Sequence, residues 1–170
     1  MKVLIAVASR HGATREIGEA IGRTLTEKGH AVTVAEAGEN LRADGYDAVI
    51  VGSGIYAGHW LDGARDFEKA NRGYLARLPV WLFSSGPIGD PPIPANGSVA
   101  IDDIIEQTQP VDHRLFAGKL DRRRLRWSER ALTVALRAPE GDFRAWAGIE
   151  AWAEGIAEVL NSGWGGSMAS

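Results

Sequence analysis

The sequence predicts a doubly wound α/β sandwich, a parallel sheet of five strands with helices on both faces. Three observations predict it. Short apolar runs rich in β-branched residues alternate with stretches whose apolar residues recur every three or four positions. The runs lack polar alternation, as strands buried on both faces do. Polar, glycine-bearing loops follow the first, third and fourth runs, and right-handed crossovers collect those strand ends along one edge of the sheet.

The first strand is Lys2 to Ala8, and Ser9, Arg10, His11, Gly12, Ala13 and Thr14 follow it as a short loop. Ile17, Ala20, Ile21 and Leu25 then fall on one face of a helix expected from about Thr14 to Lys28, closed by Gly29. Gly18 and Gly22, four apart on one side, let that helix sit close to the sheet. A strand, a loop and a helix N-terminus in this order turn backbone N–H groups toward one point, an anion seat to which Ser9 and Thr14 can add hydroxyls. Helix capping accounts for Ser9 and Thr14 equally well. No Lys-Ser/Thr pair follows the glycine, and no Gly-x-Gly-x-x-Gly is present, which argues against a triphosphate or a dinucleotide.

Ala31 to Ala35 reads as a short second strand near an edge, and Glu36 to Gly45 has room for one helical turn at most. Asp47 to Gly52 is the third strand. The loop after it, Ser53 to Trp60, carries Gly54, Ile55, Tyr56, Ala57, Gly58 and His59, with large aromatics at Tyr56 and Trp60. A helix is expected from about Leu61 to Leu78, with Leu61, Ala64, Phe67, Asn71, Tyr74 and Leu78 recurring every three or four positions, and Pro79 ends it. Val80 to Phe83 is the fourth strand. Ser84 to Gly97 is a long glycine- and proline-rich loop, of a size that is uncommon unless it covers a site. A short helix around Val99 to Gln107, a fifth strand at Arg114 to Ala117 and a last helix from about Phe143 to Leu160 complete one domain over residues 1–160. Asn161 to Ser170 reads as a disordered tail.

Residues 121–138 form a basic insertion with helical periodicity. From Asp121 to Glu140 six arginines face three acidic residues, a local charge of +3 in a chain of −3. A solvated surface helix explains them. A patch for an acidic partner or an anionic membrane surface explains them too, with Trp127 at the interface.

At net charge −3 there is no general pull toward nucleic acid. The absence of cysteine excludes thiol catalysis and thiolate metal sites, and four scattered histidines lack ligand spacing, so no metal site is expected. The chain enters a strand at once and has no apolar run of membrane-spanning length, which sets a cytoplasmic expectation. A receiver domain would need acidic residues where Ala8-Ser9 and Gly52-Ser53 stand, and a serine hydrolase would need Gly-x-Ser-x-Gly. Three polar strand-end loops on one edge instead suit a phosphorylated planar ligand.

The loop SRHGAT, set in this order of elements, resembles the phosphate loop of the flavodoxin family, Thr/Ser-x-Thr-Gly-x-Thr. Ser9, Gly12 and Thr14 match, and His11 departs from the pattern. YDAVIVGSGIYAGHW and GDFRAWAGIEAWAEGIAEVL resemble the menaquinone-dependent protoporphyrinogen oxidase branch of that family. The resemblance covers roughly residues 1 to 160. It implies a flavodoxin-like strand order 2-1-3-4-5 and FMN as the cofactor. It implies that Ser9, Arg10, His11, Gly12, Ala13 and Thr14 hold the phosphate, and that Gly54, Ile55, Tyr56, Ala57, Gly58, His59 and Trp60 border the redox edge of the ring. Ser84, Ser85, Gly86 and Gly89 would line the pyrimidine side. Two functions then stand open. One is an FMN oxidoreductase that passes electrons from an organic substrate, such as a protoporphyrinogen, to a quinone. The other is a non-enzymatic electron carrier between redox partner proteins. The mild net charge and the basic insertion lean toward the first.

Overall fold

The computed structural model describes residues 1–86, 99–120, 141–142 and 144–164. Gly89, with most of the long loop, and the whole basic insertion lie outside the described residues. The elements are β1 (Lys2–Ala8), α1 (Ala13–Glu27), β2 (Ala31–Glu36), β3 (Ala48–Tyr56), β4 (His59–Trp60), α2 (Asp62–Leu75), β5 (Val80–Ser85), α3 (Asp102–Thr108), β6 (Asp112–Phe116), β7 (Lys119–Leu120), β8 (Gly141–Asp142) and α4 (Trp146–Asn161).

Five strands run parallel in the order β2-β1-β3-β5-β6. With the small antiparallel strand β4 set aside, this is the expected 2-1-3-4-5. Successive β1 residues point to opposite faces. Val3, Ile5 and Val7 pack with Ile17, Ile21 and Leu25 of α1 and with Ile149, Ala153 and Ile156 of α4. Leu4, Ala6 and Ala8 pack with Ala64 and Phe67 of α2 and Ile104 of α3. The two cores therefore lie on opposite sides of the sheet, and β1 is buried on both, as its unbroken apolar run requires.

Close packing accounts for several small residues. A β-carbon at Gly18 would stand 2.6 Å from the Val7 side chain, and one at Gly22 would stand 3.0 Å from Val34, so α1 lies against the sheet as expected. At Gly52 the ring of Phe83 occupies the space a β-carbon would need. Phe83 in turn meets Phe116 and Trp152 at centroid separations of 6.1 and 6.3 Å, with Phe116 and Trp152 edge-on at 5.5 Å. The polar stretch after β2 is held by Asn71, which accepts from the Ala43 N–H and donates to the Leu41 carbonyl, both at 2.8 Å. Asn71 belongs to the buried face of α2, but as a hydrogen-bonding clamp rather than as apolar filling.

Several expected boundaries move. The third strand does not stop at Gly52 but runs on to Tyr56, because β5 also runs on to Ser85 and pairs Ser53 with Ser84 and Gly54 with Ser85. The expected loop Ser53–Trp60 is thus the end of a strand and a tight hairpin. Helix α2 closes at Leu75, where the Tyr74 carbonyl takes the N–H groups of Arg77 and Leu78. Strand β6 begins at Asp112, α3 begins at Asp102, and α4 starts at Trp146 and includes Asn161, the first residue of the expected tail. Residues 165–170 lie outside the described residues. No helix among the described residues is long and apolar enough to cross a membrane, and none of their acidic and histidine side chains group as a metal site.

Candidate functional site at the C-terminal edge of the sheet

In doubly wound sheets the crevice opens where connections from adjacent strands leave toward opposite faces. Here that place is the C-terminal end of β1 beside β3, since α1 and α2 cover opposite cores. The loop after β1 is built around Gly12, whose φ of 88° and ψ of −17° put it in the left-handed region just before α1. A side chain there would be strained. Ser9 Oγ accepts from the Gly12 N–H at 3.0 Å, and the Gly12 carbonyl accepts from Glu16 N–H at 3.0 Å, which closes the first turn. Among the described residues no side chain caps the first amides of α1. Ser9 therefore folds the loop, and the helix N-terminus keeps its donors for an anion. His11 and Ala13 are half-buried in this loop, Arg10 is exposed, and Thr14 is buried at its base.

The end of β3 lies directly beside it. A β-carbon on Gly54 would be 3.2 Å from Thr14 Oγ1 and 4.0 Å from the Ser85 carbonyl. Across the edge, a β-carbon on Gly86 would be 2.8 Å from that of Ile55. Glycine here lets the ends of β3 and β5 and the start of α1 approach closely. Ala57 and Gly58, with φ of 50° and 79°, form the two-residue turn between β3 and β4, which matches strand twist when both central residues have positive φ. Ala100 N–H donates to the Gly58 carbonyl at 2.9 Å and ties the turn to the segment leading into α3.

The two loops are bridged. The Arg10 guanidinium lies over the Tyr56 ring, 4.2 Å from its centroid, while Tyr56 stays 40% exposed. His59, opposite Tyr56 across the hairpin, is exposed as well. Trp60 points the other way. It is 3% exposed, packs in the core beneath α2, and donates its indole N–H to Ser84 Oγ at 2.8 Å. Of the two aromatics expected against a planar ring, only Tyr56 is presented to the edge.

Ser84 is fully buried and its hydroxyl is committed. It accepts from Trp60 and lies 2.9 Å from His113 Nε2 on β6. A hydroxyl has one proton and two lone pairs, so Ser84 can serve the indole and either tautomer of the histidine at once. Burial lowers the His113 pKa, and neighbouring Asp112 opposes that shift. Burial also works against the Asp112 carboxylate, but hydrogen bonds from Trp152 and Arg114 hold its pKa below the usual range. Ser85 and Gly86 remain at the edge, with the Gly86 N–H donating to the Phe116 carbonyl at 3.3 Å.

Sequence reasoning missed two groups. His113 fell just outside the expected fifth strand. Arg144 was read only as part of a terminal match. Its side chain is 3% exposed and reaches Asp142 on β8, the Ala13 carbonyl and Glu16 in the first turn of α1. The Arg144 hydrogen bond holds the Asp142 carboxyl below its usual range, against the effect of burial. A lone Asp-x-Arg next to a helix is the signal that could have found it.

The chain matches the family model described as Flavodoxin domain over residues 4–144. It is 30% identical over 136 residues to a protein named protoporphyrinogen IX dehydrogenase [quinone] from Escherichia coli (strain K12), covering 76% of this chain and 75% of that protein. Its backbone superposes on oxidised flavodoxin 1 from Bacillus cereus with a TM-score of 0.62 at 16% identity, over 93% of this chain and 98% of that one. It also superposes on the rubredoxin oxygen:oxidoreductase of Desulfovibrio gigas with a TM-score of 0.62 at 14% identity. There it covers 95% of this chain but spans only 36% of the larger protein.

Proposed function

Because the chain belongs to the flavodoxin-domain family, whose cofactor is FMN, we propose that it is an FMN-dependent oxidoreductase passing electrons from an organic substrate of the protoporphyrinogen class to a quinone. The residues present fit FMN. Gly12 is left-handed before an uncapped helix, Ser9 is folded inward, and Gly54 leaves the floor beside Thr14 bare. Bound there, FMN supplies one- and two-electron chemistry that no side chain of this chain can perform.

The chain's own residues do the rest. With the Gly12 N–H held by Ser9, the amides from Ala13 onward at the start of α1 would hold the phosphate, with the helix dipole in support. Thr14 adds a hydroxyl at the base of the seat. Tyr56 offers a rigid aromatic surface for the ring, and the backbone of Ser85 and Gly86 closes the opposite side. Arg10, lying on Tyr56, puts a positive charge where negative charge gathers on reduction.

The 30% identity to a protein named as a quinone-linked dehydrogenase, over three quarters of each chain, carries the enzyme reading over the carrier reading, and the guanidinium on the Tyr56 ring is consistent with it. A carrier that docks through an acidic rim has no use for a guanidinium there. Steady-state turnover separates the two. Catalytic amounts of FMN-loaded protein should oxidise protoporphyrinogen in the presence of a menaquinone analogue. Failure to turn over, together with rapid electron exchange with a redox protein, would favour the carrier. The arginines of residues 121–138 suit a peripheral contact with an anionic membrane that holds such a quinone. Co-sedimentation with anionic vesicles at low salt, lost when Arg123, Arg126, Arg130 and Arg137 become Gln, tests that contact.

A further inference from the structure

Arg144 is the most enclosed cation with described partners at this end of the molecule, and no step proposed above uses it. Its Nε and Nη2 grip the Asp142 carboxylate at 2.8 and 2.6 Å in a two-pronged pair. Its Nη1 donates to Glu16 Oε2 at 2.6 Å and to the Ala13 carbonyl at 3.2 Å. Its Cζ lies over the Trp146 ring, 4.4 Å from the centroid. Asp142 sits on β8, which pairs with β7, and the pair brackets the basic insertion. Arg144 therefore joins the strand pair that brackets the insertion to Ala13 and Glu16 in the first turn of α1.

We propose that Arg144 is a positioning residue for the cofactor phosphate, acting through the first turn of α1. This rests on the FMN reading. Two physical effects combine. Ala13 directly follows the left-handed Gly12, so the bond to its carbonyl fixes the direction of the first helical amides. Glu16 is a carboxylate in the first turn. It suits a helix dipole on its own, but it opposes a phosphate dianion approaching the same amides. Arg144 neutralises Glu16 without standing in the seat, since its own charge is enclosed between two carboxylates. A guanidinium is needed because only a fork of donors serves a bidentate carboxylate, a second carboxylate and a carbonyl together.

Because the effect acts on the phosphate, it must distinguish FMN from riboflavin. Both ligands are titrated into apoprotein by flavin fluorescence, and the ratio of their dissociation constants is read. The wild-type ratio should strongly favour FMN. Arg144→Gln should reduce that preference about tenfold or more, with riboflavin affinity nearly unchanged. Arg144→Gln combined with Glu16→Gln should recover part of it, because the uncompensated carboxylate is gone. Should Arg144→Gln fail to fold, Arg144→Lys, which keeps the charge and loses the fork, should still cut the preference roughly threefold. A preference that survives in the folded variant, or an equal weakening of both ligands, overturns the proposal and leaves Arg144 a purely structural clamp. A wild-type ratio near one overturns the phosphate seat itself, and this inference with it.

Discussion

His113 Nε2 and the hydroxyl oxygen of Ser84 lie 2.9 Å apart on neighbouring strands, and the same oxygen takes the indole N–H of Trp60. One buried hydroxyl thus ties β6 and β5 to the hairpin that carries Tyr56. Ser84→Ala would leave both partners without it. The expected cost is about 1–3 kcal/mol, the range for a buried hydrogen-bonding group deprived of its partner. Urea unfolding should show the lower midpoint at an unchanged slope.

Stability should fall on acidification through two histidines. His30 is buried, neither ring nitrogen has a hydrogen-bond partner among the described residues, and burial, followed by the chain's N-terminal charge, lowers its pKa. The His113 pKa is lowered by burial as well. A depressed histidine is neutral in the folded protein while the unfolded chain still takes up a proton. Its contribution is therefore complete above the ordinary histidine value of 6.5 and is lost as pH drops below it toward the folded pKa. Unfolding free energies at neutral and mildly acidic pH should differ in that direction, and His30→Leu should flatten the difference.

Gly52→Ala should destabilise by about 1–3 kcal/mol, the usual cost of overpacking, because the Phe83 ring fills the added methyl's space. Phe83→Leu in the same chain should return part of the loss. An additive effect of the two substitutions would show that they do not meet.

Thr14→Ala should weaken FMN binding by on the order of 1 kcal/mol, and Gly12→Val should weaken it further because φ is 88° there. Equilibrium titration of FMN reads both. Unchanged affinity in both variants would move the phosphate site elsewhere.

Arg10→Gln should make the flavin's midpoint potential more negative by about 10–20 mV. That corresponds to roughly 0.5–1 kcal/mol of preferential stabilisation of the reduced flavin, the scale of one exposed charge pair, spread over two electrons. Arg10→Lys should keep most of the potential, and salt should shrink the difference. A potential unmoved by Arg10→Gln would show that the charge does not reach the ring.

The sheet was legible because its information is local. Leu4 and Ile5, or Ile50 and Val51, declare a two-sided strand without reference to anything distant. Gly18 and Gly22 announced their own close packing by spacing alone. Ser53 and Gly54 gave the opposite impression, since neither favours a strand, and they are strand only because Ser84 and Ser85 continue β5 alongside them. Trp60 faced the same difficulty. An aromatic in a glycine-rich stretch can turn either way, and a serine 24 positions later settles it. Arg144 and Glu16 are 128 residues apart, and no periodicity in either segment could pair them.

The short ladder in which Lys119 faces Asp142 and Leu120 faces Gly141 has a wider consequence. It returns the chain to within one strand spacing of where it left, so a two-residue turn could close the same gap. Everything between is a detour that leaves and rejoins the fold about one strand spacing apart. A chain built this way can lengthen, shorten or exchange the detour during descent while the route through β6 and α4 stays fixed. Novelty in partner choice can then accumulate at one address without renegotiating the rest of the molecule.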